Sequence, residues 1–227
     1  MAASRGPAMP AFTGWPKDAF EFFDSLEENN NREWFQEHKA RYDRAIREPM
    51  ELFLASVEAE FGHSHLFRPN RDTRFAKDKS PYKTNIGAIV RMDGGPMTYI
   101  HLDQAGVMAA SGYYLMATDQ IARFRAAVDD DASGPALAQI LSTAAKAKLE
   151  PGEAALKRVP SPYPKDHPRA DLLKRKSMTL HRNFGQPAWL HTAKARDQIV
   201  AAWRGCGPLN DWLARQVGPT ELPEARW

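Results

Sequence analysis

Between Arg68 and Arg91 the chain reads RPNRDTRFAKDKSPYKTNIGAIVR, setting seven cations (Arg68, Arg71, Arg74, Lys77, Lys79, Lys83, Arg91) against two anions, Asp72 and Asp78. Such an excess calls for an anionic partner. Arginine forks grip phosphate or carboxylate in bidentate fashion, and lysines add point charges. Arg71, Arg74 and Lys77 recur every three residues, so a turning segment would gather them on one side. With Lys79, Tyr82 and Lys83 they form the expected ligand-binding set, in which a basic cleft built by Asn70 to Thr84 takes a small phosphate- or carboxylate-bearing ligand. The competing reading is an internal clasp. Asp72 and Asp78 can neutralise two of the cations, and the stretch from Lys17 to Glu60, with twelve acids and six bases, can neutralise more.

Other candidate chemistry is sparser, and no catalytic set emerges. His101 and Asp103 share one face of a strand and are the candidates for proton transfer. His63 and His65 also share a face, but two ligands at such spacing do not make a metal site, so no metal and no cofactor is expected. Ser80-Pro81-Tyr82-Lys83 matches the Ser-x-x-Lys pattern of acyl-transfer enzymes, without the Ser-Asp-Asn and Lys-Thr-Gly companions. Ser80 is read as a turn serine. The glycines of a nucleotide-binding loop are absent around Lys77 to Ser80. Cys206, the single cysteine, lies between two glycines with no cation or histidine beside it and is read as inert.

Nucleic acid is the second partner class. A further basic run, with Lys157, Arg158, Lys165, Arg169, Lys174, Arg175, Lys176 and Arg182, could join the first along a phosphate backbone, with Phe75, Tyr82 and Phe184 as stacking platforms. No zinc finger, RNP-like strand or KH loop accompanies them. A third reading, a protein-interaction module, draws on Trp15 and Trp227.

The elements that must position these residues change period along the chain. Phe20, Phe23 and Leu26, then Trp34, His38 and Tyr42 in a helix from about Arg32 to Arg47, give helical stripes, and Pro49 opens a third helix that Gly62 ends. Asn29-Asn30-Asn31 is the turn between the first two. From Lys83 to Met92, Thr98 to Asp103 and Val107 to Leu115, apolar and polar residues alternate. Asp93-Gly94-Gly95 and Gln104 to Gly106 lie between as turns, which predicts an antiparallel meander. Thr118 and Ser133 with Pro135 begin two more helices. Pro160, Pro162 and Pro164 impose a loop, Asp166 restarts the helix, and helices from about His191 to Arg204 and Pro208 to Val217 follow.

At 227 residues, with 43% hydrophobic and 26% charged residues and a net charge of +3, the composition is that of a globular protein. No apolar run approaches the ~20 residues of a membrane helix. The start, MAASRGPAMPAFTGWP, lacks the apolar stretch of a secretory signal, and a lone cysteine suits a reducing compartment, so a cytoplasmic location is expected. The predicted architecture is α+β in one domain over residues 12–217, between tails at 1–11 and 218–227. N-terminal helices pack on an antiparallel sheet of four or five strands, and further helices lie on the sheet.

Three stretches carry a resemblance. Asn30-Asn31-Arg32-Glu33-Trp34-Phe35 with His38 and Tyr42, the run Asn70 to Thr84, and His167-Pro168 with Leu172-Leu173-Lys174-Arg175-Lys176-Ser177 are similar to successive signatures of domain-of-unknown-function family 2461. The similarity covers about Phe12 to Val217. It implies a single-domain protein and carries no catalytic or binding residues with it.

Overall fold

The computed structural model describes residues 10–74, 77–91 and 95–222. Phe75, the first two residues of the Asp93-Gly94-Gly95 turn, and Trp227 lie outside the described residues. Helix α1 (Asp18–Glu28) buries Ala19, Phe20, Phe22, Phe23 and Leu26. The asparagine turn then restarts the chain: the Asn31 side chain accepts the Trp34 N–H at 2.9 Å and caps α2 (Arg32–Glu37). The single helix expected over Arg32 to Arg47 is interrupted. After α2 come α3 (Lys39–Tyr42) and a π-helical turn, Asp43–Arg47, that leads without a break into α4 (Glu48–Phe61). As expected, Gly62 ends α4 and its first turn holds Pro49. This proline has no N–H with which to continue the ladder, and the chain passes it in a wider register in which Glu48 N–H bonds the Asp43 carbonyl.

Strand β1 (His63–Leu66) follows Gly62, then β2 (Asn85–Arg91), β3 (Met97–Asp103) and β4 (Gly106–Tyr113). Helices α5 (Thr118–Asp129) and α6 (Ser133–Lys146) lead to the two-residue strand β5 (Glu150–Pro151) and a one-turn helix, α7 (Ala170–Leu173), the reduced form of the helix expected from Asp166. Strand β6 (Met178–Gly185), a 3₁₀ turn at Ala188–His191, α8 (Lys194–Gly205) and α9 (Gly207–Gln216) complete the described elements. The expected α+β architecture with an antiparallel sheet is present. Its six strands run in the order β1-β2-β3-β4-β6-β5, one more than the upper expectation. β1 and β5 are too short to show periodicity, and β6 is masked in sequence by the basic run it terminates.

Alternation fixes the two faces of the sheet. In β3, Thr98, Ile100 and Leu102 are buried, while Tyr99, His101 and Asp103 are only partly so. The register places Ile100 between Ala88 and Ala109, and Leu102 between Ile86 and Val107, in one apolar layer. Helices α4, α8 and α9 cover that layer. Phe53 and Phe61 pack on Trp203, whose indole N–H donates to the Tyr99 carbonyl at 3.1 Å, and Asn210 donates to the Ser111 hydroxyl at 2.8 Å. Trp15 is fully buried against Phe12 and Phe53, so it belongs to the core and not to an interaction surface. Beyond Val217 the chain is held on α5: Gln120 and Arg123 donate to the carbonyls of Val217, Gly218 and Pro219, and Asp119 accepts from Thr220 and Glu221.

The β3–β4 turn rests on Gly106, at φ +128°, where an added Cβ would come within 1.8 Å of the Gly185 oxygen. Only glycine meets both conditions. Gly106→Ala is expected to cost at least ~2 kcal/mol, combining positive-φ strain with displacement of β6. Urea denaturation monitored by tryptophan fluorescence measures it, and a midpoint equal to wild type would contradict the expectation.

Candidate functional site

The basic segment folds back on itself. Asn70 pairs with Tyr82, the Arg71 N–H donates to the Pro81 carbonyl at 2.9 Å, and the Lys83 N–H to the Pro69 carbonyl at 2.8 Å. A neutral clasp ties this loop to the helical layer. The Asn30 amide donates to the Tyr82 carbonyl at 3.0 Å while its oxygen accepts the Tyr82 N–H at 3.1 Å, as a neighbouring strand would. The Tyr82 ring stacks on Phe35 with centroids 3.8 Å apart and planes 11° from parallel.

The cations of the loop are engaged locally. Arg71 pairs with Asp78 at 2.7 Å and reaches the Tyr82 carbonyl at 3.4 Å. Arg74 grips Asp72 with two nitrogens, and these side-chain bonds hold the Asp72 carboxyl down at about 2. The Lys79 ammonium donates to the Thr73 carbonyl at 2.9 Å, and Lys77 is exposed. Lys83 donates to the Arg68 carbonyl at 3.1 Å and lies 5.6 Å from the centre of the Phe67 ring. Burial, followed by the charges of Arg68 and Arg71, lowers its pKa. Asp72 and Asp78 thus neutralise two cations, as the clasp reading expects. Among the described residues the N-terminal acids do not join them. Asp18 pairs with Arg41, Asp43 with Lys39, Glu51 with Arg47 and Glu60 with Arg204. Ser80 is a turn serine, its hydroxyl and N–H both donating to Asp78.

Phe67 links this loop to the sheet face that the helices leave open. A cavity of about 480 Å³ lies there, lined by Phe67, Tyr114 and residues of β2, β3, β4 and β6, with no helical residue among them. Its polar focus is on β3. Asp103 accepts the N–H groups of Ala105 and Gly106 on Oδ1, at 2.8 and 3.2 Å, so the turn fixes the carboxylate. Oδ2 lies 2.9 Å from His101 Nε2, and His101 Nδ1 lies 3.3 Å from the Tyr99 hydroxyl. One tautomer satisfies both contacts: Nε2–H donates to Asp103, and bare Nδ1 accepts the phenol proton. Burial, with smaller contributions from Tyr114 and Asp103, raises the Tyr99 pKa and keeps it a neutral donor. Gly87 on β2 makes room for it, since a Cβ there would lie 2.7 Å from the Tyr99 oxygen.

The structure thus joins His101 to Asp103, and adds two residues that the sequence did not single out. Tyr99 was legible as the third member of the face, at i, i+2 and i+4 with His101 and Asp103. His181 comes from the unrecognised β6, whose only signal is the alternation of Met178 and Leu180 with Thr179 and His181. His63 and His65 lie exposed on β1, and among the described residues no three of His, Cys, Asp and Glu are grouped to hold a metal ion.

The second basic run is partly structural. Arg169 donates to the carbonyls of Val128 and Asp129 at the end of α5, Lys174 pairs with Asp171, and buried Arg175 donates to the Gly152 carbonyl. A depression of about 610 Å³ between α5, α6 and α9 is larger than the open-face cavity but shallow, and of its two cations, Arg123 and Arg215, the first is already bonded to the Val217 and Pro219 carbonyls. Cys206 is buried, and burial pushes its thiol up to about 12. Among the described residues no helix is long and apolar enough to cross a membrane.

A family model described as conserved hypothetical protein (DUF2461) matches residues 18–212 of the chain. No curated protein and no solved structure matches it.

The neutral clasp and the exposed ion pair separate in a stability measurement. Asn30→Ala leaves the Tyr82 N–H and carbonyl without their partners and is expected to cost ~1 to 3 kcal/mol. Arg74→Ala, on an exposed pair, is expected to leave the denaturation midpoint unchanged. The reverse order would make the charges, and not the amide, the attachment.

Proposed function

The chain belongs to the DUF2461 family of conserved hypothetical proteins, and we propose from the geometry of the open sheet face that it binds a small molecule bearing an acidic group there. The observation that carries this reading is the hydrogen-bonded series Asp103, His101, Tyr99, anchored on a turn at one end and terminating inside a mainly apolar cavity. A few convergent polar groups in an apolar hollow of several hundred Å³ are the usual make-up of a small-molecule site. The series conducts a proton in steps that balance. An acidic group of the ligand gives its proton to the Tyr99 oxygen, the phenol proton passes to His101 Nδ1, and the resulting imidazolium is held by Asp103. An already ionised ligand accepts the Tyr99 O–H directly, and no proton need move. The basic loop supports an anionic ligand from the side, because Phe67 is common to the cavity and to the Lys83 contact. Lys83 is the member of the basic segment in this role. Arg71, Arg74 and Lys79 hold the loop in shape.

A panel of octanoate, cyclohexanecarboxylate and benzoate, followed by thermal melting, tests the proposal. Protection should grow with the concentration of the acid, because a ligand that binds only the native state stabilises it by mass action. Tyr99→Phe should weaken binding about fivefold through loss of one hydrogen bond. Asp103→Asn, which removes the carboxylate that orients His101, should also weaken binding. Protection by none of the acids, or protection indifferent to both substitutions, would overturn the reading.

A further inference from the structure

The register of the open face determines more than the presence of a cavity. Tyr99 on β3, Ala110 on β4 and His181 on β6 lie in one cross-strand row, and the next row is Met97, Gly112 and Thr179. Along β4 the residues on this face are Met108, Ala110 and Gly112, so beyond Met108 the strand carries only small ones, while the flanking strands raise taller ones. The result is a trough whose floor is a methyl group and a bare backbone. With strands about 4.8 Å apart, the backbones carrying its two walls are about 10 Å apart. Tyr99 and His181 face each other across that width, over Ala110. The Tyr99 hydroxyl is oriented by His101, and the His181 imidazole, only partly exposed, makes no hydrogen bond among the described residues. Thioethers of Met97 and Met108 also line the hollow.

We infer that the ligand of this trough is a planar heteroaromatic acid, with one polar edge on Tyr99 and a ring heteroatom on His181. The inference rests on the open face being the ligand site proposed above. A flat ring system matches a shallow, small-residue floor, and sulfur contacts favour aromatic over aliphatic occupants. Polar groups on both walls argue in the same direction. An alkyl chain laid along β4 would desolvate Tyr99, His181 and Thr179 without answering their hydrogen bonds, at a cost in affinity. A ring with polar atoms on opposite edges answers the first two together.

Three carboxylates of similar size test this: quinoline-6-carboxylate, naphthalene-2-carboxylate and decalin-2-carboxylate, titrated by calorimetry. The expected order is quinoline tightest, naphthalene about fivefold weaker for want of the ring nitrogen, and decalin weakest. His181→Ala should erase the difference between the first two and leave naphthalene binding unchanged. Ala110→Leu, which fills the floor, should abolish binding of both aromatic acids. Its melting temperature, and that of a His63→Ala control on exposed β1, should show that the fold survives. Equal binding of all three acids, still weakened by Tyr99→Phe, would sink the inference while leaving the open-face site standing. Binding of none would remove the site as well.

Discussion

A β-strand sends successive side chains to opposite faces of its sheet, and the middle of this structure is organised by that constraint. In β3 the even positions Thr98, Ile100 and Leu102 are under the helices, so Tyr99, His101 and Asp103 are obliged to share the other face. A shift of one residue would bury the polar set and expose the apolar one, so the hydrophobic layer that stabilises the sheet also fixes the alignment of the hydrogen-bonded series. Stability and site geometry are thus two consequences of a single register. Gly87 and Gly106 serve the same arrangement, one by leaving space for the phenol and the other by closing the turn on which Asp103 is anchored.

The basic loop illustrates how charge and attachment separate. Its exposed ion pairs, such as Arg74 with Asp72, are solvated and contribute little to holding it in place. The connection to the helices is made by uncharged groups: the Asn30 amide paired with the backbone of Tyr82, and the Tyr82 ring lying on Phe35. The charge asymmetry between the loop and the N-terminal helices therefore does not drive their association. Among the described residues no ion pair joins the two sides; Asp72 and Asp78 pair within the loop, and the helices form pairs such as Arg41 with Asp18 and Arg47 with Glu51. Proximity to the sheet comes instead through Phe67, which carries the loop to the rim of the cavity.

Local pattern in the sequence determined a good deal. The helical stripes of α1 and α4, the asparagine turn, the alternation of β2, β3 and β4, the α+β class and the common face of His101 and Asp103 all follow from periodicity and turn chemistry within a few residues. The family resemblance rests on short runs as well, Asn70 to Thr84 above all. Tertiary structure decided what lies between distant segments. Sequence periodicity contains no term for partners 52 positions apart, which is the separation of Asn30 and Tyr82, so it could not tell a helical clasp from a charged cleft. Nor could it place β6 beside β4: four residues of alternation after a run of cations are a weak signal until Ser111 and Leu180 are brought into register. That pairing creates the trough and sets His181 opposite Tyr99. The physical reason is the same in both cases. Side-chain direction is encoded locally by the backbone, whereas the identity of the surface it meets depends on long-range packing that the chain acquires only when it closes on its core.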